Sequence, residues 1–271
     1  MHYVTTAGVE VPALGFGTAG MDTDEQRREA ISAALATGYR HIDTAQMYDS
    51  ESAVGNAIRD ADIAREDLFV TTKLTRDNRT HDAAIDSTHD SLDRLDTDYV
   101  DLLLIHSPKQ DVSHEETLDA MNELVGEGMV RNIGVSNFSV EQTQNAIDHS
   151  TAPILTNQVE YNLGERQDDL LSFCIDENIM LTAYSPLKIG DRLDNEVLTE
   201  IAETHEKTPR QVAIRWLLQQ PMVSTIPRSS NPDHIKQNFD VFDFELSAEE
   251  MSRLFAIEDD IDDALASKVG L

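Results

Sequence analysis

The chain lacks the features of three protein classes. Its 271 residues include a single cysteine, Cys174, so an intrachain disulfide is impossible, and the surrounding pattern LLSFCIDE places this residue on the apolar face of a helix. The start, MHYVTTAGVEVPALG, has neither the basic nor the long apolar segment of a secretory signal. No apolar window reaches the roughly 18 residues of a membrane span. These absences predict a cytoplasmic protein.

The sequence also lacks low-complexity stretches and linkers rich in Pro, Gly or Ser. A chain of this length can form one large α/β domain or two small ones. Because no linker divides it, we expect a single domain over residues 1–271.

Basic residues are scarce. The chain has 21 Lys and Arg against 51 Asp and Glu, a formal net charge of −30, and only six of the basic residues are lysine. Such a surface repels nucleic acid and anionic membranes, so we expect neither as a partner. One interpretation is adaptation to a high-salt cytoplasm, where the Debye length falls to ~3 Å at 1 M and self-repulsion is screened. The alternative, an ordinary acidic protein, leaves the lysine depletion unexplained.

Short apolar runs alternate strictly with amphipathic segments. The eight runs are ALGFG, HIDTA, LFVTTKL, VDLLLIH, VRNIGVSN, ILTNQVEY, IMLTAYSPL and VSTIPRS, each short enough for a buried parallel strand. Helical patterns between them include residues 24–38, 81–95, 113–128 and 140–150. This alternation predicts an α/β fold of the (β/α)8 TIM barrel type. HYVTT and VEVP, which flank Ala7 and Gly8, predict an N-terminal β-hairpin that caps the closed end of the barrel.

One glycine motif favours a different fold. Gly15, Gly17 and Gly20 spell G-x-G-x-x-G after a short strand, and Asp43 follows near the position of a ribose-binding acid in a Rossmann domain. The next helix, however, begins with acidic residues where pyrophosphate would bind. A doubly wound sheet also leaves the eight-fold alternation unexplained.

Four polar residues fall at or just beyond predicted strand ends: Asp43, Tyr48, Lys73 and His106. In a parallel barrel these ends meet on one face. A tyrosine with a pKa of about 10 is a poor acid at neutral pH unless a nearby cation stabilises its phenolate. We expect Lys73 to supply that cation and to lower the pKa of Tyr48, while Asp43 pairs with Lys73 and His106 donates to a substrate carbonyl oxygen. This set predicts carbonyl reduction.

Motifs in order from about residue 4 to residue 260 carry a family resemblance. They are GFGT, HIDTAQMYDSESAVGNAI, TTKL, VDLLLIHSP, VRNIGVSNF, NQVEYN, TAYSPL, TPRQVAIRWLLQQ and IPRSSNPDHIKQNFDVFDFELSAEEM. The chain resembles the aldo-keto reductases, and among them the microbial members that are similar to diketogluconate reductases. The resemblance implies NAD(P)H-dependent reduction of aldehydes or ketones, with Tyr48 as the general acid, and it assigns the same four catalytic residues.

The resemblance also implies a cofactor site. Ser136, Asn137 and Gln158 match positions that hold the nicotinamide carboxamide, and Tyr184 matches the ring that stacks on nicotinamide; the remaining matching positions are Ser185, Leu187, Arg228, Ser229, His234 and Asn238. Arg228 can grip a phosphate bidentately, so NADPH is the expected cofactor. His234 stands where the family usually has arginine, which keeps NADH as the alternative. No sequence pattern predicts a metal site.

Several of these residues could have structural roles instead of functional ones. Ser136 and Asn137 could instead cap a helix that begins near Val140, and Arg228 could be an ordinary surface cation. A non-catalytic regulatory subunit is a rival function, against which the complete set of four residues argues. An aldolase that uses Lys73 as a Schiff base is another, but Asp43 should keep this lysine protonated.

The substrate pocket is expected to be wide and polar. Ala19 and Ser107 stand where the family usually places bulky aromatic residues. The expected partner is therefore a small carbonyl compound such as a polar keto-sugar or a dicarbonyl. We expect the protein to be a monomer, because no apolar surface stripe compels association.

The charge imbalance generates a prediction about salt. We expect the thermal unfolding midpoint and the turnover rate to rise between 0.1 M and 2 M KCl, because repulsion among the acidic residues is screened. Calorimetry and steady-state kinetics across a KCl titration measure both. Full stability and full activity at low ionic strength would reject the salt-adaptation hypothesis.

Overall fold

The computed structural model describes residues 2–108, 112–189, 195–257 and 263–271. The chain begins with an antiparallel hairpin of β1 (Tyr3–Thr6) and β2 (Val9–Pro12). Ala7 and Gly8 form its turn with φ angles of 47° and 80°. Two residues with positive φ match the twist of a tight hairpin, so the predicted hairpin is confirmed.

Eight parallel strands follow, and each pairs with the next one along the chain. They are β3 (Phe16–Gly17), β4 (His41–Asp43), β5 (Phe69–Leu74), β6 (Leu102–Ile105), β7 (Ile133–Ser136), β8 (Ile154–Glu160), β9 (Met180–Tyr184) and β10 (Val223–Thr225). A doubly wound sheet would reverse its strand order part-way, and this sheet does not. The Rossmann alternative is therefore excluded.

The segment before the first strand of the sheet is hydrogen-bonded to the last strand. Gly15 N donates to Thr225 O at 2.9 Å, and Thr225 N donates to Ala13 O at 2.8 Å. Leu14 and Thr225 form a parallel bridge. Backbone hydrogen bonds therefore connect the segment before β3 to β10.

Helices separate most of the strands. In the described part of the chain they are α1 (Asp24–Thr37), α2 (Glu51–Asp60), α3 (His81–Leu95), α4 (His114–Gly126), α5 (Val140–His149), α6 (Asp168–Asp176), α7 (Glu196–Thr204), α8 (Pro209–Leu218), α9 (Pro232–Phe239), α10 (Ala248–Phe255) and α11 (Asp263–Val269). The four helices predicted from periodicity are confirmed to within two residues, and Cys174 is buried on α6 as expected. Among the described residues, no helix combines the length and apolar character needed to cross a membrane.

The core lies on both faces of the sheet. Nearly every strand residue is buried, as expected for parallel strands covered on two sides. Two large apolar clusters include side chains from both strands and helices; their members include Ile31, Leu103, Leu118, Leu171, Leu181 and Leu217. A third cluster joins Val11 of the hairpin to residues near the amino-terminal ends of strands, such as Phe69, Leu102 and Met180. The carboxyl-terminal ends of the strands are left for polar side chains.

Close packing of α2 on the end of α3 depends on Gly55. A Cβ atom at this position would lie 2.5 Å from the backbone oxygen of Leu95. Backbone atoms cannot move aside as a flexible side chain can. Only glycine fits without a shift of one helix.

We therefore predict opposite effects for two glycine substitutions in helices. Gly55→Ala should lower the free energy of unfolding by about 1–3 kcal/mol, because overpacking displaces α2 from α3. Gly126→Ala is the matched control, since a Cβ there meets no atom within 4 Å. It should raise the free energy of unfolding by up to ~1 kcal/mol through helix propensity. Urea unfolding of both variants measures the difference, and equal effects would contradict the packing argument.

Candidate active site

A cleft of about 700 Å³ lies where the carboxyl-terminal ends of several strands meet. Asp43, Ser136 and Tyr184 are the last residues of β4, β7 and β9, and all three line it. All but two of the residues predicted for the site line this cleft: Asp43, Tyr48, His106, Ser136, Asn137, Gln158, Tyr184, Ser185, Leu187, Arg228, Ser229 and His234. Lys73 and Asn238 are buried and are not among the lining residues.

A buried ion pair forms the base of the cleft. Lys73 on β5 is 0 % exposed, and its Nζ donates to Asp43 Oδ1 and, at 2.8 Å, to the backbone oxygen of Thr44. Gln158 Nε2 donates to the other carboxylate oxygen, Asp43 Oδ2, at 2.7 Å. Both oxygens of Asp43 are thus hydrogen-bonded. The sequence had not predicted this contact of Gln158.

The pair keeps Lys73 protonated. Burial alone would lower the pKa of Lys73, but the charge of Asp43 and the interaction with Tyr48 outweigh burial and raise the pKa above its ordinary value. The side chain is therefore an ammonium at neutral pH, as expected from the sequence.

Tyr48 lies on a 3₁₀ turn, Gln46–Tyr48, between β4 and α2. Lys73 Nζ lies 5.0 Å from the centroid of the Tyr48 ring, and the Tyr48 hydroxyl lies 3.4 Å from His106 Nε2. Burial raises the pKa of Tyr48, and Lys73 offsets this increase only in part. Lys73 lowers the pKa of Tyr48 as expected, but the net pKa is raised, because desolvation of the phenolate is the larger effect. Tyr48 is a protonated phenol at neutral pH.

His106 is neutral at the same pH. Burial and the nearby charge of Lys73 lower its pKa to about 4. Its Nδ1 is buried without a hydrogen-bond partner in the described ranges, which fits a ring that carries no charge. Its Nε2 faces the Tyr48 hydroxyl. Two uncharged groups that can each donate a hydrogen bond therefore lie side by side, close to a buried cation.

Amide and hydroxyl groups form the neighbouring wall. Asn137 has a left-handed backbone (φ 61°), and its Nδ2 donates at 3.0 Å both to the backbone oxygen of His106 and to Ser136 Oγ. Tyr184 donates its hydroxyl to Asn137 Oδ1 at 2.9 Å. The helix-cap interpretation of Ser136 and Asn137 is wrong, because Ser139 caps α5 through a capping box with Gln142.

Two acceptor positions on this wall remain available. Gln158 Oε1 has no hydrogen-bond partner among the residues that the structure describes, and Asn137 Oδ1 accepts only one hydrogen bond. Both residues line the cleft. The wall can therefore accept hydrogen bonds from an amide group.

Two arginines also line the cleft. Arg228 is exposed, and its Nη1 donates to the backbone oxygen of Gly20 at 3.3 Å. Arg210, at the start of α8, had not been predicted, because nothing in the local pattern TPRQ distinguishes it from a surface residue. Within the described ranges neither arginine pairs with a carboxylate. In a chain with a net charge of −30, unpaired cations in a cleft favour an anionic ligand.

Ala19 and Ser107 were both expected to widen the pocket, and the structure places only Ala19 in the cleft. Ala19 lines the cleft, together with the exposed Met47, which the sequence had not indicated. Ser107 is half-buried and is not among the lining residues; its backbone oxygen accepts from Arg79 Nη1 at 3.0 Å. Of the two positions, only Ala19 bears on the shape of the cleft as described.

Comparisons with known proteins identify the family of this chain. The sequence model of the Aldo/keto reductase family matches residues 13–259. Glyoxal reductase of Bacillus subtilis is 41% identical over 253 residues, which cover 93% of this chain and 91% of that protein. The crystal structure of a protein provisionally described as 2,5-diketo-D-gluconic acid reductase B is 43% identical with a TM-score of 0.93, and the match covers 95% of this chain and 92% of that one.

A further solved structure was determined with cofactor. The aldo-keto reductase of Bombyx mori in complex with NADP is 33% identical with a TM-score of 0.88, and the match covers 93% of this chain and 91% of that one. By sequence, fold and site, the chain belongs to the aldo/keto reductase family, whose members are NAD(P)H-dependent oxidoreductases that reduce carbonyl groups.

Proposed function

We propose that this chain reduces aldehydes or ketones to alcohols with Tyr48 as the general acid. The observation that carries the proposal is the placement of a protonated phenol beside a neutral imidazole in the wall of the cleft, with a buried ammonium 5.0 Å from the centre of the phenol ring. The nicotinamide cofactor supplies the hydride when bound.

The residues have distinct roles in this proposal. Tyr48 gives its proton to the carbonyl oxygen as negative charge develops there, and the Lys73 ammonium stabilises the phenolate that remains. Asp43 keeps Lys73 charged and fixed. His106, neutral because of burial, donates from Nε2 to the same oxygen and orients it. A Schiff-base aldolase is disfavoured, because it needs Lys73 as a free amine.

The cleft fits a nicotinamide dinucleotide. Gln158 Oε1 and Asn137 Oδ1 can accept from the carboxamide N–H groups, and Ser136 lies between them. The half-buried ring of Tyr184 offers an aromatic face for the nicotinamide ring, and Ser185 and Leu187 line the same cleft. Arg228, Ser229 and His234 would hold the adenosine phosphate, and Asn238, which is buried on α9, stays a prediction.

NADPH is the preferred cofactor in this proposal. Arg210 and Arg228 together provide more positive charge than the sequence had indicated, which offsets the presence of His234 in place of arginine. The relative from Bombyx mori was crystallised with NADP.

The proposed substrates are small polar carbonyl compounds, keto-sugars or dicarbonyls. Ala19 presents little side chain to the cleft, and glyoxal, the compound named in the Bacillus subtilis relative, is a small dicarbonyl. Glyoxal is therefore the first compound to assay.

We also infer a closed (β/α)8 barrel in a single domain over residues 1–271. Hydrogen bonds between Ala13, Gly15 and Thr225 support closure of the sheet. Packing of Val11 near the amino-terminal ends of the strands supports a hairpin that covers the end opposite to the cleft.

One prediction concerns Tyr48, the proposed general acid. Tyr48→Phe should lower kcat/KM for glyoxal by about 10²–10⁴-fold, because the proton donor is lost, while the Kd for NADPH, measured by fluorescence quenching, stays within about two-fold of wild type. Tyr3→Phe, at an exposed position of the hairpin, is the matched control and should behave as wild type. Turnover that survives Tyr48→Phe would disprove the assignment.

The pH dependence of the wild-type enzyme tests the same residues. Reduction requires neutral His106 and protonated Tyr48. The pKa of His106 is lowered to about 4 and that of Tyr48 is raised, so kcat/KM should be flat across neutral pH. It should fall as His106 becomes protonated near pH 4 and as Tyr48 ionises at strongly alkaline pH. A loss of activity centred near pH 6.5 would mean that His106 is solvated and freely protonated.

A further prediction concerns the choice between NADPH and NADH as cofactor. Wild-type kcat/KM should be higher for NADPH than for NADH, and Arg228→Ala should lower the NADPH value by about ten-fold or more, because a charge-assisted contact to phosphate is lost. The NADH value should change less. A strong preference of the wild type for NADH would overturn the NADPH assignment.

A further inference from the structure

Gln46 connects the turn that carries Tyr48 to two other elements. It is the first residue of the 3₁₀ turn, two positions before Tyr48. Its Oε1 accepts from Thr75 N at 3.0 Å and from Asn78 Nδ2 at 3.1 Å. Its Nε2 donates to Ser87 O at 3.1 Å and to Ser91 Oγ at 3.2 Å.

These four hydrogen bonds use the full capacity of the amide, with two donated and two accepted. Thr75 directly follows β5, the strand that carries Lys73. Ser87 and Ser91 are buried on successive turns of α3. Gln46 therefore fixes the Tyr48 turn relative to the strand of Lys73 and relative to a helix of the outer layer.

Side chains restrain the segment after Tyr48 as well. Met47 is 65% exposed, and Asp49 is exposed with a left-handed backbone (φ 54°), but Asp49 O accepts from Arg27 Nη1 at 2.9 Å. The next buried residue is Ser50, whose Oγ lies 2.7 Å from Thr44 Oγ1 and 3.0 Å from Thr18 Oγ1. The segment is thus held at Gln46 on one side of Tyr48 and at Asp49 and Ser50 on the other.

We propose that Gln46 is a positioning residue that sets where the Tyr48 hydroxyl stands relative to Lys73 and His106. The inference rests on the proposed role of Tyr48 as the acid. Proton transfer is sensitive to displacement, and an error of about 1 Å from a substitution away from the reacting atoms can cost ~10²-fold in rate. Loss of Gln46 should therefore slow the chemical step and leave cofactor binding unchanged, because Gln46 is not among the residues that line the cleft.

The test uses three substitutions and one control in the full chain. Gln46→Met keeps the side-chain length and removes all four hydrogen bonds. Gln46→Glu keeps the two accepted bonds and loses the donated ones, and Asn78→Ala removes a single bond at the edge of the network. Gln144→Met is the control, since Gln144 is half-buried on α5 and its side chain bonds, among the described residues, only Asp148.

Gln46→Met should lower kcat for glyoxal by about 10–100-fold, with KM and the NADPH Kd within about three-fold of wild type. Gln46→Glu should recover part of this loss, Asn78→Ala should show a smaller loss, and Gln144→Met should show none. The primary deuterium isotope effect on kcat, with NADPH deuterated at the transferred position, should increase in Gln46→Met because hydride and proton transfer limit turnover. A merely structural role would lower the folded fraction without changing the isotope effect.

Wild-type kcat and isotope effect in a folded Gln46→Met would overturn the inference. If that variant does not fold, wild-type values in both Gln46→Glu and Asn78→Ala would overturn it equally. The proposed function is tested separately. Turnover that survives Tyr48→Phe would disprove the role of Tyr48 as the acid. An inactive Tyr48→Phe variant together with wild-type kinetics in the Gln46 variants would disprove only the positioning role of Gln46.

Discussion

The buried pair of Lys73 and Asp43 is the interaction on which the rest of the site depends. Two charges that are both removed from water are stable together only if their remaining hydrogen-bonding capacity is met, and either charge left alone would be strongly destabilising. Thr44 O and Gln158 Nε2 meet that need here. Because Asp43 holds Lys73 as an ammonium, Tyr48 has a cation beside its ring, and His106, whose pKa burial lowers, has a neighbouring charge that lowers this pKa further. One ion pair thus acts on two further groups whose pKa values burial shifts most.

The site divides between rigid and less rigid supports. The charged pair and Gln158 stand on strands whose residues are buried on both faces, so their positions are set by the sheet. Tyr48, the proposed acid, stands on a short turn beyond the sheet. A turn has fewer backbone hydrogen bonds to define it, so side chains must supply the restraint. Gln46 and Ser50 do so through contacts to β5, α3 and the loops that flank β3 and β4.

The sequence predicted the α/β fold with its eight parallel strands, and it predicted the four residues that the structure brings together, Asp43, Tyr48, Lys73 and His106. Buried parallel strands appear as continuous apolar runs, and helix ends carry recognisable caps, so the element order could be predicted. Four features could not be predicted. The net direction of the Tyr48 pKa depends on how deeply the phenol is buried. The contact of Gln158 with Asp43 joins residues that are 115 positions apart. Arg210 lines the cleft and Ser107 does not, and neither placement follows from a local sequence pattern.

The two arginines that line the cleft have a consequence in a chain with a net charge of −30. At about 0.1 M salt a charge is felt over ~10 Å, so the many carboxylates would oppose the approach of an anionic dinucleotide while Arg210 and Arg228 attract it. At about 1 M salt the range shrinks to ~3 Å, which is close to the length of one hydrogen bond. The carboxylates then have almost no influence beyond their own neighbours, and the arginines act only on a phosphate that touches them. In concentrated brine, recognition of the dinucleotide becomes a matter of contact geometry, and the sign of the surrounding surface ceases to matter.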